Sequence, residues 1–222
     1  MRLVEMSTPP SPRLLEACAA FGLLVRHDRS RRDWRRKVAR ASRLATSLDR
    51  RLKPGAIALV TGASGCGKST LINEFRRLVV ARAGPVVMAG DVRPAHMHTP
   101  ILDLIDGPIE SSLGLLARAG LADATLLVRT PRELSEGQRA RLRLALAMHR
   151  APPRATIVVD EFTSTLDRTT ARCVAAMTRR WIRGSLHRLI AATTREDIAD
   201  ALAPDVVVDI GLGDSLLGAS DA

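Results

Sequence analysis

A chain of 222 residues with 46% hydrophobic content can bury the core of one ordinary domain, with room for a small appendage. Aromatic residues make up only 2% and tyrosine is absent, so the core is aliphatic and a base-stacking platform for single-stranded nucleic acid is disfavoured. Of the net charge of +11, +9 falls between Arg26 and Lys53, where twelve basic residues stand against three acidic ones. That patch suits nucleic acid, anionic lipid or an acidic protein surface, or it is simply a solvated arginine-rich helix.

The first twelve residues end in Pro9-Pro10-Ser11-Pro12 and predict a tail or linker. Leu14 to Val25 predicts a helix, or a helix then a strand. Residues 31–52 predict a helix, because Trp34, Val38, Ala41, Ala45 and Leu48 recur at spacings of three or four. Lys53-Pro54-Gly55 ends it. From there short aliphatic runs alternate with helical stretches. Strands are predicted at Ile57–Val60, Val86–Met88, Thr156–Val159, Arg188–Ala192 and Val206–Ile210. Helices are predicted at about Ser69–Arg82, Ile109–Ala119, Ser135 or Glu136 to His149, Arg168–Arg183 and Glu196–Leu202. This alternation predicts an α/β domain on a largely parallel sheet, followed by a loose tail after Gly211. The expected boundaries are an N-terminal segment over 1–52, the α/β domain over 53–213 with a helical subdomain at about 100–150, and a tail over 214–222.

Cys18, Cys66 and Cys173 are widely spaced, odd in number and free of C-x-x-C, which predicts a reducing compartment. No apolar run approaches the ~20 residues that span a bilayer, and Met1–Ser11 lacks the apolar stretch of a signal peptide. A soluble, cytoplasmic chain without a membrane span is expected.

Gly62-Ala63-Ser64-Gly65-Cys66-Gly67-Lys68-Ser69 fits the phosphate-loop (Walker A) pattern G-x-x-x-x-G-K-[ST] in full, between a predicted strand and a predicted helix. Its glycines let backbone N–H groups turn inward around phosphate oxygens, and the helix start adds its positive end. Lys68 is placed to reach the β- and γ-phosphates, Ser69 to ligate Mg²⁺, and Thr70 to approach the α-phosphate. Asp160, at the end of an apolar strand, suits the Mg²⁺ shell. Glu161, one residue on, suits the general base that aligns a water on the γ-phosphate. Leu134-Ser135-Glu136-Gly137-Gln138 opens a helix with Ser135 as N-cap. A cap alone does not explain Gly137, which costs about 1 kcal/mol relative to Ala inside a helix. A close approach by something is expected there, with phosphate the natural candidate.

Over roughly Lys53 to Gly213 the chain resembles the nucleotide-binding domain of the ATP-binding cassette (ABC) superfamily, whose signature has the form L-S-G-G-Q. The resemblance implies an ABC-type P-loop NTPase that hydrolyses ATP with Mg²⁺ as a head-to-tail homodimer. Ser135, Gly137 and Gln138 would then meet the nucleotide held by residues 62–70 of the other copy. Ser164-Thr165-Leu166-Asp167 resembles the family's S-A-L-D, which implies that Asp167 crosses the dimer interface.

Three departures bear on function. Gln138 is the only glutamine, so the family's Mg²⁺-sensing glutamine is missing, and the segment in its place holds His96, His98 and Thr99. Thr194 stands in the slot of the switch histidine, where it donates a hydrogen bond without carrying charge, so slow hydrolysis is expected. The helical subdomain is reduced, which argues against a transport subunit. Trp34 is the best-placed aromatic for adenine, although its helical stripe predicts core packing. Gly120–Ala124 and Thr193–Asp197 resemble a soluble, non-transporter ABC group often fused to acetyltransferase-like domains. Three readings stay open: an ATPase driving an unidentified protein partner, with nucleic acid engaged through residues 26–53; a non-catalytic ATP-gated clamp; or the ATPase subunit of a transporter.

Overall fold

The computed structural model describes residues 2–6, 10–27, 31–91, 97–211 and 216–218. The chain divides into two compact units, Met1–Ala39 and Arg40–Ala222.

In the first unit, β1 (Arg2–Met6) pairs in parallel with β2 (Leu23–His27), Arg2 lying opposite Leu23 and Met6 opposite His27. Parallel neighbours need a crossover, and α1 (Pro12–Ala20) supplies it. Ser11 caps α1 by accepting from the Leu14 N–H at 3.3 Å, and Pro12 sits where its missing N–H costs nothing. The expected tail over 1–12 is therefore corrected. Pro12 opens a helix, and Arg2–Met6 find a strand partner about twenty residues away. The arginine-rich helix α2 (Arg31–Arg51) begins in this unit. Trp34 is 61% exposed, so the expected core packing of that residue does not occur.

The second unit takes up the rest of α2, then β3 (Ile57–Thr61), α3 (Lys68–Ala81) and β4 (Val86–Met88). The helical subdomain follows, with α4 (Ile109–Arg118), α5 (Ala124–Leu127) and α6 (Glu136–Arg150). The chain then returns through β5 (Thr156–Val159), α7 (Arg168–Arg183), β6 (Arg188–Ala192), α8 (Ala199–Leu202), β7 (Val206–Asp209) and β8 (Leu216–Gly218). The sheet runs β4-β5-β6-β3-β7-β8, parallel throughout except for β8, which is antiparallel to β7. Strands covered on both faces must be apolar along their length, and β3 is. Ile57 and Leu59 point into the core beneath α6 and α7, while Ala58 and Val60 point into a second core beneath α2 and α3.

That second core holds Leu44, Ala45, Leu48 and Leu52, so the later half of α2 is part of the α/β unit. The division between the two units falls between Ala39 and Arg40, within α2, rather than at the expected 52/53. Asp49 fastens α2 further, accepting from Arg82 Nη1 at 2.6 Å and Arg188 Nη1 at 2.9 Å. The tail expected to be loose contributes β8, because the outer edge of β7 offers unpaired backbone groups that a short strand can satisfy. The helix expected over Glu196–Leu202 begins only at Ala199. No helix among the described residues is long and apolar enough to cross a membrane.

Candidate nucleotide site

The site lies at the C-terminal ends of β3, β5 and β6, the edge of an open parallel sheet where side chains and helix starts converge. The loop leaving β3 turns on Gly62, Gly65 and Gly67, whose φ values of 136°, 78° and 116° lie in the region glycine favours. Lys68 opens α3 and folds back over the loop, where Nζ donates to the carbonyls of Gly62 at 2.6 Å and Ala63 at 2.9 Å. Gly67 supplies no side-chain cap, so the first N–H groups of α3 keep their capacity for an anion.

Ser69 Oγ donates to Asp160 Oδ2 at 2.8 Å, joining α3 to the end of β5. A hydroxyl and a carboxylate already in contact are two hard oxygen donors, and they fit Mg²⁺. Among the described residues no cluster of three His, Cys, Asp or Glu could hold a metal ion. His98 is exposed, and His96 lies outside the described residues.

Beyond β5 the chain turns sharply. Glu161 and Thr163 adopt φ of 55° and 59°, left-handed values that are costly for side-chain-bearing residues. The Glu161 N–H donates to Asp160 Oδ1 at 3.0 Å, and the Phe162 N–H to the Ala192 carbonyl at 2.7 Å. Phe162 is buried, which leaves the Glu161 side chain exposed toward the phosphate loop. Past β6, Thr193 is buried and its N–H donates to the Val60 carbonyl at 3.0 Å, while Thr194 is exposed. A cleft of about 450 Å³ brings Ser64, Gly65, Gly67, Lys68, Ser69 and Thr70 together with Asp160, Glu161 and Thr194. Ser164 and Thr193 line it too, two residues that the quoted motifs contain but to which no site role was assigned.

Ser135, Gly137, Gln138 and Asp167 do not line that cleft. The Ser135 side chain accepts from the Gln138 N–H at 3.2 Å, and Gln138 Oε1 accepts from the Ser135 N–H at 2.8 Å, a reciprocal cap on α6. A Cβ on Gly137 would lie 3.1 Å from Leu166 Cδ2 and 3.4 Å from the Thr165 carbonyl oxygen. The close approach expected at Gly137 therefore has an occupant within the same chain. Asp167 caps α7, accepting from the Thr170 N–H at 2.9 Å, and its hydrogen bonds with Thr170 hold its carboxyl below the usual carboxylate range. Arg141 Nη1 donates to the Gly120 carbonyl at 2.6 Å, and burial pushes its pKa down.

A protein-family model described as "AAA ATPase domain" matches residues 39–190, well over half of the chain. The chain belongs to the AAA ATPase domain family. Within the P-loop ATPases its relatives are of the ABC type. It is 32% identical over 164 residues to the "Aliphatic sulfonates import ATP-binding protein SsuB" of Burkholderia pseudomallei, covering 67% of this chain and 49% of that one. It is 30% identical over 154 residues to the "Putative ABC transporter ATP-binding protein YjkB" of Bacillus subtilis, covering 58% of this chain and 60% of that one. It is 30% identical over 173 residues to the "ATP-dependent lipid A-core flippase" of Bordetella pertussis, covering 63% and 27%. The chain thus spans about a quarter of the flippase, about half of the sulfonates import protein and about three-fifths of the Bacillus subtilis protein.

Among solved structures, the fold matches a dimeric ATP-binding cassette in a post-hydrolysis state bound to ADP and Pi. The TM-score is 0.57 at 18% identity, over 75% of this chain and 87% of that one. A bacterial Atm1-family ABC exporter with ATP bound matches with a TM-score of 0.57 at 18% identity, over 75% and 34%. The match to the AAA-named model spans both the phosphate loop and the acid-ended strand. The segment Leu134–Gln138 between those two is what resembles the ABC signature.

Proposed function

We propose that the chain binds Mg-ATP in this cleft and hydrolyses it as a head-to-tail homodimer. The observation that carries the reading is the single cleft shared by Lys68, Ser69, Asp160, Glu161 and Thr194. Lys68 exchanges the Gly62 and Ala63 carbonyls for β- and γ-phosphate oxygens, while the loop N–H groups and Thr70 hold the remaining oxygens. Ser69 and Asp160 would hold Mg²⁺, which would supply positive charge against that developing on the phosphate oxygens. Glu161 accepts the proton of a water whose oxygen bonds to the γ-phosphorus. The bond from that phosphorus to its bridging oxygen breaks, and ADP and phosphate leave. Thr194 donates its hydroxyl to a γ-phosphate oxygen. Its neutrality leaves the transition-state charge less compensated than a cation would, so turnover is slow. Ser135, Gly137 and Gln138 complete the cleft of the other copy, and Asp167 crosses between copies.

Sizing of Glu161→Gln beside the wild type, each with and without Mg-ATP, tests this. The variant is expected to dimerise only with Mg-ATP, and the wild type to release phosphate. Two monomers and no phosphate release overturn it.

The names of the curated relatives favour a second reading, the ATPase subunit of a transporter. Co-purification with a membrane-spanning partner supports that reading, and the reduced helical subdomain counts against it. In the first reading the chain belongs to the soluble, non-transporter group, works in the cytoplasm and drives an unidentified protein partner. Nucleic acid would then be engaged through residues 26–53, of which 28–30 lie outside the described residues. Arg35, Arg36 and Lys37 are exposed in the first unit's part of α2 and suit a phosphate backbone. Binding to duplex DNA that weakens linearly in log affinity with log salt supports this, and no binding at low salt removes it. A retained Glu161 argues against a non-catalytic clamp, which absent turnover in an ATP-dependent dimer would restore.

A further inference from the structure

Two loops flank the cleft, residues 160–167 after β5 and 193–197 after β6. At their root they are joined by the Phe162 N–H donating to the Ala192 carbonyl at 2.7 Å. At their tip they are joined by Arg195, which no step above uses. Arg195 Nη1 donates to the Leu166 carbonyl. Its Nε donates to Asp197 Oδ1 at 2.9 Å and its Nη2 to Asp197 Oδ2 at 2.7 Å, a two-bond fork that fixes the guanidinium plane. The Arg195 N–H also donates to Thr193 Oγ1 at 3.1 Å.

The side chain is only 20% exposed, so this is no solvated surface arginine. Asp197 is held in turn from α7, whose cap is Asp167. Arg168 Nε lies 3.7 Å from Asp197 Oδ2, and Arg172 Nη1 donates to the Asp197 carbonyl at 3.3 Å. The hydrogen bonds from Arg195 hold the Asp197 carboxyl below the usual carboxylate range. Leu166, the far end of the tie, sits 3.1 Å from the position a Cβ on Gly137 would take.

We propose that Arg195 is a positioning residue that transmits occupancy of the cleft at Thr194 to the Leu166–Asp167 segment, and through it to the start of α6 at Gly137. The proposal rests on the head-to-tail reading above, in which Gly137 and Asp167 face the second copy. A frame tied at root and tip moves as one body. Thr193 is anchored to β3 through the Val60 carbonyl, so displacement of Thr194 by a γ-phosphate is carried onward on the Arg195 side. One copy's nucleotide thereby sets the geometry of the surface that completes the other copy's cleft. Only a guanidinium reaches both the Asp197 carboxylate and the Leu166 carbonyl with a rigid fork; an ammonium keeps one or the other.

The test uses the full chain, with Arg195→Met, Arg195→Lys and Asp197→Asn beside wild type. Amide exchange is measured with and without Mg-ATP, alongside kcat and KM for phosphate release. In wild type, Mg-ATP is expected to protect both residues 62–70 and residues 164–168. In Arg195→Met the first protection persists and the second is lost, with KM within about threefold and kcat down by about tenfold. Arg195→Lys and Asp197→Asn each keep part of the tie and fall between. If Arg195→Met does not fold, the Lys and Asn variants carry the same comparison.

Wild-type protection at 164–168 and unchanged kcat in the Met variant overturn the coupling. So does a parallel loss at 62–70 in every variant, which makes Arg195 a folding residue. Failure of the underlying reading looks different: Mg-ATP then protects nothing at 62–70 in the wild type.

Discussion

Two helices begin at motif residues, and their first turns are finished in opposite ways. The start of α3 follows Gly67, which contributes no side-chain cap, and its lysine is parked on two carbonyls that phosphate oxygens can replace. The start of α6 is closed on itself by Ser135 and Gln138 and is seated against Leu166 through Gly137. An open helix end in a pre-formed cleft suits anion binding within one chain. In the head-to-tail reading proposed above, a closed end outside that cleft contributes only when a second copy supplies the phosphate.

Breaking the α3 side is expected to have the largest effect. Glu161→Gln lowers phosphate release by about a hundredfold or more while keeping ATP-dependent dimers, checked by single-turnover kinetics and sizing. Removal of divalent cations with a chelator stops turnover, and added Mg²⁺ restores it; turnover that survives chelation removes Ser69 and Asp160 from the metal role. On the α6 side, Gly137→Ala separates the two reasons for a glycine. Alanine gains about 1 kcal/mol of helix propensity against a tight contact with the movable Leu166 side chain, so the melting temperature changes little. Turnover and dimerisation are nevertheless expected to fall, and unchanged turnover assigns this glycine to packing alone.

Thr194→His sharpens the contrast within the cleft. It restores a group able to carry charge and is expected to raise kcat severalfold. The smallest effect is on acid stability. Asp123, Glu133 and Asp167 are held below the usual carboxylate range by hydrogen bonds with Thr125, Thr130 and Thr170, and Asp197 by Arg195. A depressed folded pKa stabilises at pH above the unfolded value, and that stabilisation is lost as pH falls through the folded value. Melting temperature is therefore expected to hold at neutral pH and drop only below the ordinary carboxyl range.

Most of the α/β unit was legible because parallel strands buried on both faces must be continuous apolar runs. Ile57–Val60 and Thr156–Val159 announce themselves that way, and the half-buried edge strand Val86–Met88 is apolar throughout as well. The phosphate loop and the acids after β5 were legible because phosphate and metal chemistry restricts residue type at fixed spacing. The strand at Arg2–Met6 was not, since a five-residue run beside a proline cluster becomes a strand only by finding Leu23–His27. Trp34 misled because its periodic stripe continues along α2, while the buried part of that stripe begins at Ala41. Arg195 stood in plain view beside Thr194 with Asp197 two residues on, but its bond to Leu166 spans a separation that no local pattern encodes.

The sequence by itself determined most elements of the α/β unit, the phosphate-loop and acid residues that line the cleft and the kinship with ABC-type ATPases, because each rests on local composition or fixed spacing. Tertiary structure alone decided that α2 is shared between two units, that β8 extends the sheet, that Gly137 is crowded by Leu166 and that Arg195 closes the frame around the cleft. Those four depend on which distant segments come within contact distance, and the free energy of such contacts is set by packing and hydrogen-bond geometry between residues far apart in the chain.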